Sequence, residues 1–250
     1  MSQTKKVAII TGGTSGIGLA TATKFLMNEY IVAIASMDSK DIVRESMEQL
    51  KDLGEVIYCR VDVSKQEECH AFVDQVYERY GKIDVLANVA GIVGKLVSPL
   101  DLEPNDIRLP IEVNLMGTIY MSVYAANYMK KQGGSIVNVS SICGFVASND
   151  GIGYHASKGG INMVTKMLGM ELGKYGIRCV GVAPGTVRTR LMAPEIEEEA
   201  SMLHMKGRVI EPNEIANLIY LLTTEEACVV NGSIVMAEDG FCEYKLTINR

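Results

Sequence analysis

Histidine is scarce in this sequence. His70, His155 and His204 stand far apart, and their dispersal gives no sign of a metal site, so none is expected. The six cysteines (Cys59, Cys69, Cys143, Cys179, Cys228 and Cys242) show no CxxC spacing, which removes the zinc and dithiol signatures. Without an export signal they are expected to be buried free thiols. Positive charge is also short, with a formal net charge of −6 and a pI near 5.2. That balance argues against nucleic acid and anionic membrane as partners, since both reward basic surfaces. No apolar run approaches the ~20 residues of a membrane span, and the four apolar residues before Thr11 are too few for a signal-peptide core. No repeat, linker or low-complexity tract divides the chain, so a cytoplasmic protein with one domain over residues 1–250 is expected. A chain near 300 residues buries roughly 75% of its unfolded surface, which makes one substantial core feasible.

What the sequence does hold is an alternation. Val7–Ile10, Ile31–Ala35, Glu55–Val61, Ile83–Asn88, Ser135–Val139, Ile177–Val182 and Ser233–Ala237 are short, rich in Val and Ile, and bounded by Gly or polar residues. Continuous apolar runs of this kind fit strands buried on both faces of a parallel sheet. Between them lie amphipathic segments: Asp41–Leu53 with Gly54 as its stop, a helix capped by Ser64 with Glu67 at the capping-box position and ended by Gly81, then Met116–Met129, Tyr154–Leu172 and Glu214–Leu222. The alternation predicts an α/β fold, a doubly wound Rossmann-type parallel sheet of about seven strands with helices on both faces. Pro184 to Ile210 breaks the rhythm with Pro194, Glu195, an acidic run at Glu197, Glu198 and Glu199, and Met192, Met202 and Met205. Residues 185–210 read as a substrate lid with a short helix of its own.

Two stretches carry chemistry. Thr11-Gly12-Gly13-Thr14-Ser15-Gly16-Ile17-Gly18 joins the first strand to a helix running through Leu19, Phe25 and Leu26. Glycines there let the backbone turn tightly and approach a pyrophosphate, whose charge meets the helix N-terminus. No Gly-Lys-Ser/Thr follows, which sets aside a Walker-type phosphate loop. Tyr154 sits four residues before Lys158, on the same face of a helix. A phenol with a pKa near 10 is a poor base at neutral pH. An ammonium about 4 Å away, at an effective dielectric near 20, favours phenolate by up to about 4 kcal/mol. A dinucleotide beside such a pair implies hydride transfer coupled to proton transfer.

In these motifs the chain resembles the short-chain dehydrogenase/reductase family over nearly its whole length. TGGTSGIG fits that family's TGxxxGxG turn, and Asn88-Val89-Ala90-Gly91 fits its NNAG segment with Val89 as a departure. Asn114-Leu115-Met116-Gly117, Ser140-Ser141, Tyr154-His155-Ala156-Ser157-Lys158 and Pro184-Gly185 follow in family order. The resemblance implies a catalytic tetrad of Asn114, Ser141, Tyr154 and Lys158. Ser141 would hold the substrate oxygen, with Ser140 pointing the other way, and Asn114 would help hold a water leading from Lys158 to solvent. Cofactor contacts are implied for Gly12, Thr14, Ser15, Gly16, Ile17 and Gly18; for Ser36, Met37 and Asp38; and for Asp62 and Val63. They are implied also for Asn88, Ala90 and Gly91, for Pro184, Gly185, Val187 and Thr189, and for Tyr154 and Lys158 themselves. Asp62 has an alternative reading as a strand-end acid capping the Ser64 helix.

The end of the second strand bears on the cofactor, because a carboxylate there binds a ribose diol and an arginine accommodates a 2′-phosphate. Ser36 takes the usual acidic position, Asp38 follows, and no arginine stands at that strand end, so NAD is expected and Lys40 keeps NADP possible. Substrate contacts are assigned to Ser141, Cys143, Phe145, Tyr154, Leu191 and Met192, within a wall that also draws on Val93, Leu96, Val146 and Met202. Such a wall suits a bulky apolar secondary alcohol or ketone, alicyclic or hydroxysteroid-like. The alternatives are a 3-oxoacyl-carrier-protein reductase, a sugar or polyol dehydrogenase, and a non-catalytic dinucleotide-binding regulator. The resemblance also implies a homotetramer, with a dimer as the alternative.

Overall fold

The seven Val- and Ile-rich runs form strands β1 (Val7–Thr11), β2 (Ile31–Ser36), β3 (Val56–Arg60), β4 (Val85–Asn88), β5 (Gly134–Val139), β6 (Ile177–Pro184) and β7 (Ile234–Ala237). They make one seven-stranded sheet in the order β3-β2-β1-β4-β5-β6-β7, every neighbouring pair parallel. The structure is a computed structural model that describes residues 5–148, 151–192 and 194–242. Both faces of the sheet are covered, as parallel strands without polar alternation require. The helices α1 (Gly16–Met27), α2 (Lys40–Leu50) and α8 (Pro212–Thr223) cover one face, where Phe25, Leu26, Ile34, Leu50 and Ile219 are buried. On the other face lie α3 (Gln66–Tyr80), α5 (Gly117–Met129) and α6 (Ile152–Leu172), burying Phe72, Val76, Met121, Met129 and Leu168. Among the described residues no helix is long and apolar enough to cross a membrane.

Several boundaries differ from the sequence expectation. Helix α2 ends at Leu50, before Leu53, and its C-cap is Lys51, so Gly54 is not its stop. Helix α3 starts at Gln66 with Lys65 at the N-cap and no side-chain cap. The Ser64 hydroxyl donates instead to Asp62 Oδ1 at 2.7 Å, a local turn that competes with capping. Gly81 does end α3, in the left-handed conformation at φ 73°. Ahead of α5 the sequence reading missed α4 (Pro104–Pro110) and a π-helical stretch, Ile111–Met116, which runs straight into α5. The excursion after β6 holds the short helix α7 (Glu197–Met202), and its base is closed where Val187 pairs with Ile210.

Candidate active site in the cleft between β1 and β4

The strand order reverses between β1 and β4, and a cleft of about 600 Å³ opens at their carboxyl ends. Such a switch point is where open parallel sheets bind ligands. The turn after β1 forms one wall. Gly12 and Gly16 adopt positive φ, 67° and 51°, and a Cβ on Gly18 would fall 2.0 Å from the Gly12 carbonyl oxygen. Only this glycine spacing lets α1 begin so close under the strand end. Ser15 precedes α1 without capping it, so the first helix N–H groups remain available to an anion.

The end of β2 is tied to that turn. Thr14 Oγ1 lies 2.6 Å from both Ser36 Oγ and Asp38 Oδ2, and the Asp38 N–H donates to Ser36 Oγ at 3.0 Å. Ser15 Oγ donates to the same Asp38 oxygen at 3.1 Å. Two arginines reach this strand end from elsewhere, contrary to the sequence expectation of none. Arg60 ends β3 in register with Ser36 and contacts the Met37 sulfur, and Arg190 comes from the lid to pair with Asp38 Oδ2 at 3.1 Å. Neither is near Ser36 in sequence, so only the register and the return of the lid reveal them.

The opposite wall is Val89 to Ile92. Thr11 Oγ1 accepts from the Val89 and Ala90 N–H groups at 3.0 Å, fixing this segment on β1. A Cβ on Gly91 would lie 3.2 Å from Asn114 Oδ1 and 3.6 Å from Lys158 Nζ, so the bare glycine brings the wall against two of the four tetrad positions. Asn114 is fully buried in the π-helical stretch, and its amide is spent on structure. It accepts from the Ile92 N–H at 2.8 Å and donates to the Ile92 carbonyl at 2.9 Å and to Ser157 Oγ at 3.0 Å.

Tyr154 and Lys158 meet beyond this wall, with Ser141 two residues past the Val139 carbonyl that Lys158 holds. Lys158 is buried; its Nζ donates to the Val139 carbonyl at 2.9 Å and lies 5.5 Å from the centroid of the Tyr154 ring. Burial pulls its pKa down to about 8, against a smaller opposing influence from Cys143. Ser141 Oγ accepts from the Cys143 N–H at 3.2 Å at the head of a 3-10 turn, Ile142–Gly144, and its own proton stays available. Ser140 turns away and donates to the Lys158 carbonyl at 3.2 Å, anchoring α6 to β5. The segment after Ser141 is held on the first turn of α6 by His155. That ring donates from Nδ1 to the Gly151 carbonyl at 2.9 Å and accepts the Ser148 N–H on Nε2 at 3.0 Å, a role its isolation in sequence did not suggest.

Gly12, Ser15 to Gly18, Ser36 to Asp38, Asp62 to Ser64, Val89 to Ile92 and Thr189 all line the cleft. Asp62 lines it while its Oδ1 accepts from the Ser64 N–H and hydroxyl. The remaining expected cofactor residues stand at the strand ends and the base of the lid. For Asn88 the expected contact is through its backbone; its side chain is buried in a network with Ser122 and Asn138, and the cleft wall begins with the next residue, Val89. Pro184 closes β6, Gly185 packs against His204 and Glu238, and Val187 pairs with Ile210, which sets these three at the base of the lid. Among the apolar residues expected to face substrate, Cys143 is buried, Met192 half-buried, and Leu96, Phe145, Val146, Leu191 and Met202 are exposed, with Leu191 on the cleft lining. Leu109, on the cleft wall with Val113 and Ile92, was missed by the sequence reading because α4 was not foreseen.

Residues 6–200 match the family model of the short chain dehydrogenases. The 3α-hydroxysteroid dehydrogenase of Mediterraneibacter gnavus is 35% identical over 240 residues, covering 93% of this chain and 95% of that protein. Levodione reductase superposes with a TM-score of 0.91 at 28% identity, over 96% of this chain and 98% of that one. ElxO, solved with NADP bound, gives 0.88 at 28% identity over 96% and 100%. The match spans the cleft, the buried lysine and the tyrosine beside it, and the chain belongs to the short-chain dehydrogenase family as an NAD(P)-dependent oxidoreductase of alcohol and ketone groups.

Proposed function

We propose that the protein interconverts a bulky, largely apolar secondary alcohol and its ketone, of alicyclic or hydroxysteroid type, with NAD as the preferred cofactor. The observation that carries the substrate class is the set of exposed apolar side chains Leu96, Phe145, Leu191 and Met202, of which Leu191 lines the cleft. Covering such surfaces contributes about 25 cal/mol per Å², a gain a polyol forgoes. The resemblance of the chain to a hydroxysteroid dehydrogenase and to levodione reductase supports the same direction.

The residues fit a nicotinamide dinucleotide: the glycine turn offers backbone N–H groups to the pyrophosphate, Asp38 an acceptor for the ribose diol, and Thr189 a hydroxyl at the lid end of the cleft. When bound, the nicotinamide supplies or accepts the hydride. In oxidation Tyr154 takes the substrate hydroxyl proton, and in reduction it returns one to the ketone oxygen. Ser141 donates its hydroxyl to that oxygen and orients it. Lys158, charged over the face of Tyr154, favours the phenolate, and a pKa near 8 lets it pass a proton on at working pH. Asn114 holds the Gly91–Ile92 wall against Lys158 rather than touching substrate. Asp38 places a carboxylate, already engaged with Arg190, where a 2′-phosphate would add a second negative charge, which supports NAD. The chain acts as a homotetramer without nucleic-acid or membrane partners.

A cofactor-reduction screen over sugars, cyclohexanol-like alcohols and hydroxysteroids, with NAD and with NADP, tests this reading. Higher kcat/KM on the alicyclic and steroid alcohols is expected. Strong activity on a hexose with none on those alcohols overturns it.

A further inference from the structure

Arg190 leaves the lid one residue after Thr189 and returns to the far wall of the cleft, where its Nη2 donates to Asp38 Oδ2 at 3.1 Å. The pair joins the two walls across the cleft mouth, with the lid on one side and the turn after β1 with the end of β2 on the other. The two partners are held unequally. Asp38 also receives Thr14 and Ser15 hydroxyls on the same oxygen, and its side chain is 28% exposed. Arg190 is 51% exposed and gives this single bond to the cleft. Asp38 is therefore the fixed member and Arg190 the movable one. A guanidinium carries five donors in a fixed plane and grips phosphate through two of them at once, so most of its capacity here is unspent on Asp38.

We propose that Arg190 is a latent phosphate-binding residue of the cofactor cleft, and that Asp38 selects the dinucleotide by occupying it. This deepens the NAD preference proposed above and rests on it. With Asp38 ionised, a ribose diol meets an acceptor whose charge Arg190 steadies. A 2′-phosphate meets an arginine already paired and a carboxylate that repels it. Removing the carboxylate lifts the repulsion and also releases the guanidinium to the phosphate. Most of the improvement in NADP binding after loss of Asp38 then runs through Arg190.

Calorimetric titration of NADH and NADPH into wild type, Asp38→Asn, Arg190→Gln and the double variant tests this, with melting curves to establish that each cofactor-free variant folds. Asp38→Asn is expected to tighten NADPH roughly tenfold or more, the scale of one charge-assisted pair, and the double variant to lose most of that gain. A double variant that keeps the gain overturns the proposal and shows plain repulsion at work, leaving the NAD preference standing. No gain from Asp38→Asn overturns it as well. A wild type that binds NADPH more tightly than NADH, with the preference lost in Arg190→Gln, overturns both the NAD preference and the gating by Asp38 while placing Arg190 on the phosphate.

Discussion

At the scale of single residues the site separates proton chemistry from binding. Tyr154→Phe removes the transferable proton and leaves the ring over which Lys158 sits. General acid–base contributions of roughly 10²–10⁴ set the expected fall in kcat. NADH affinity, measured by titration, should stay within about twofold of wild type, because no new charge or cavity is made. Retention of most activity would remove Tyr154 from the reaction. Lys158 makes a second, opposite case. Its buried ammonium titrates near 8 against 10.5 for an ordinary lysine, so the folded chain binds its proton less well than the unfolded one. Stability from this group therefore rises as pH climbs from 8 toward 10.5, and below pH 8 the fold carries the whole cost, on the order of 3 kcal/mol. Lys158→Met should abolish turnover yet raise the Tm of the cofactor-free protein at pH 7, with the advantage shrinking as pH approaches 10.5. Melting curves across that range check the sign. A lower Tm at every pH would mean that the bond to the Val139 carbonyl outweighs burial.

At the scale of elements the decisive piece is the π-helical turn between α4 and α5. Pro110 deprives the helix of one N–H, the next turn widens, and Asn114 enters the core with its carbonyl accepting from Thr118 Oγ1 at 2.7 Å. Asn114→Ala strips both partners from Ile92, so a loss of about 1–3 kcal/mol of stability is expected. The Gly91–Ile92 wall loosens with it, and kcat should fall about tenfold, the effect of some 1.4 kcal/mol of misplacement. Unchanged kcat in a variant with lowered Tm would confine Asn114 to the fold. This turn also marks where the sequence stops being legible. The strands and the glycine turn could be read because their signals are local: an apolar run between breakers, or a glycine whose Cβ has no room. Tyr154 and Lys158 could be paired because one helical turn joins them. Helix α4 was missed although its Pro104 sits at a helix start, where proline is tolerated. Ser64 was misread as a cap because its hydroxyl had a nearer acceptor in Asp62. Arg60 and Arg190 could not be found from spacing at all: one needs the β2–β3 register and the other the path of the lid.

At the scale of the molecule, what remains uncovered points to assembly. Met163, Met167 and Met170 recur at helical spacing along α6, all exposed, with Val123 exposed on α5. Large apolar stripes of this kind are uncommon on a monomer. A second apolar group lies toward the sheet edge formed by β7, where Met236 is open within the strand and Val229, ahead of it in the chain, is 89% exposed. One face alone, matched to itself by a two-fold axis, gives a dimer. Two separate self-matching faces give a closed tetramer with two-fold axes through each, and the edge of β7, unpaired among the described residues, is covered in the process. The expected result from size-exclusion chromatography with light scattering is a particle of about four 27.2 kDa chains. Met163→Glu with Met167→Glu places charge at the centre of the α5–α6 face and should halve that mass or lower it further, while Val229→Glu should break only the edge contact and leave a dimer. A wild-type protein that elutes as a monomer at working concentration would show that neither face is an interface and that the methionine stripe serves some other contact.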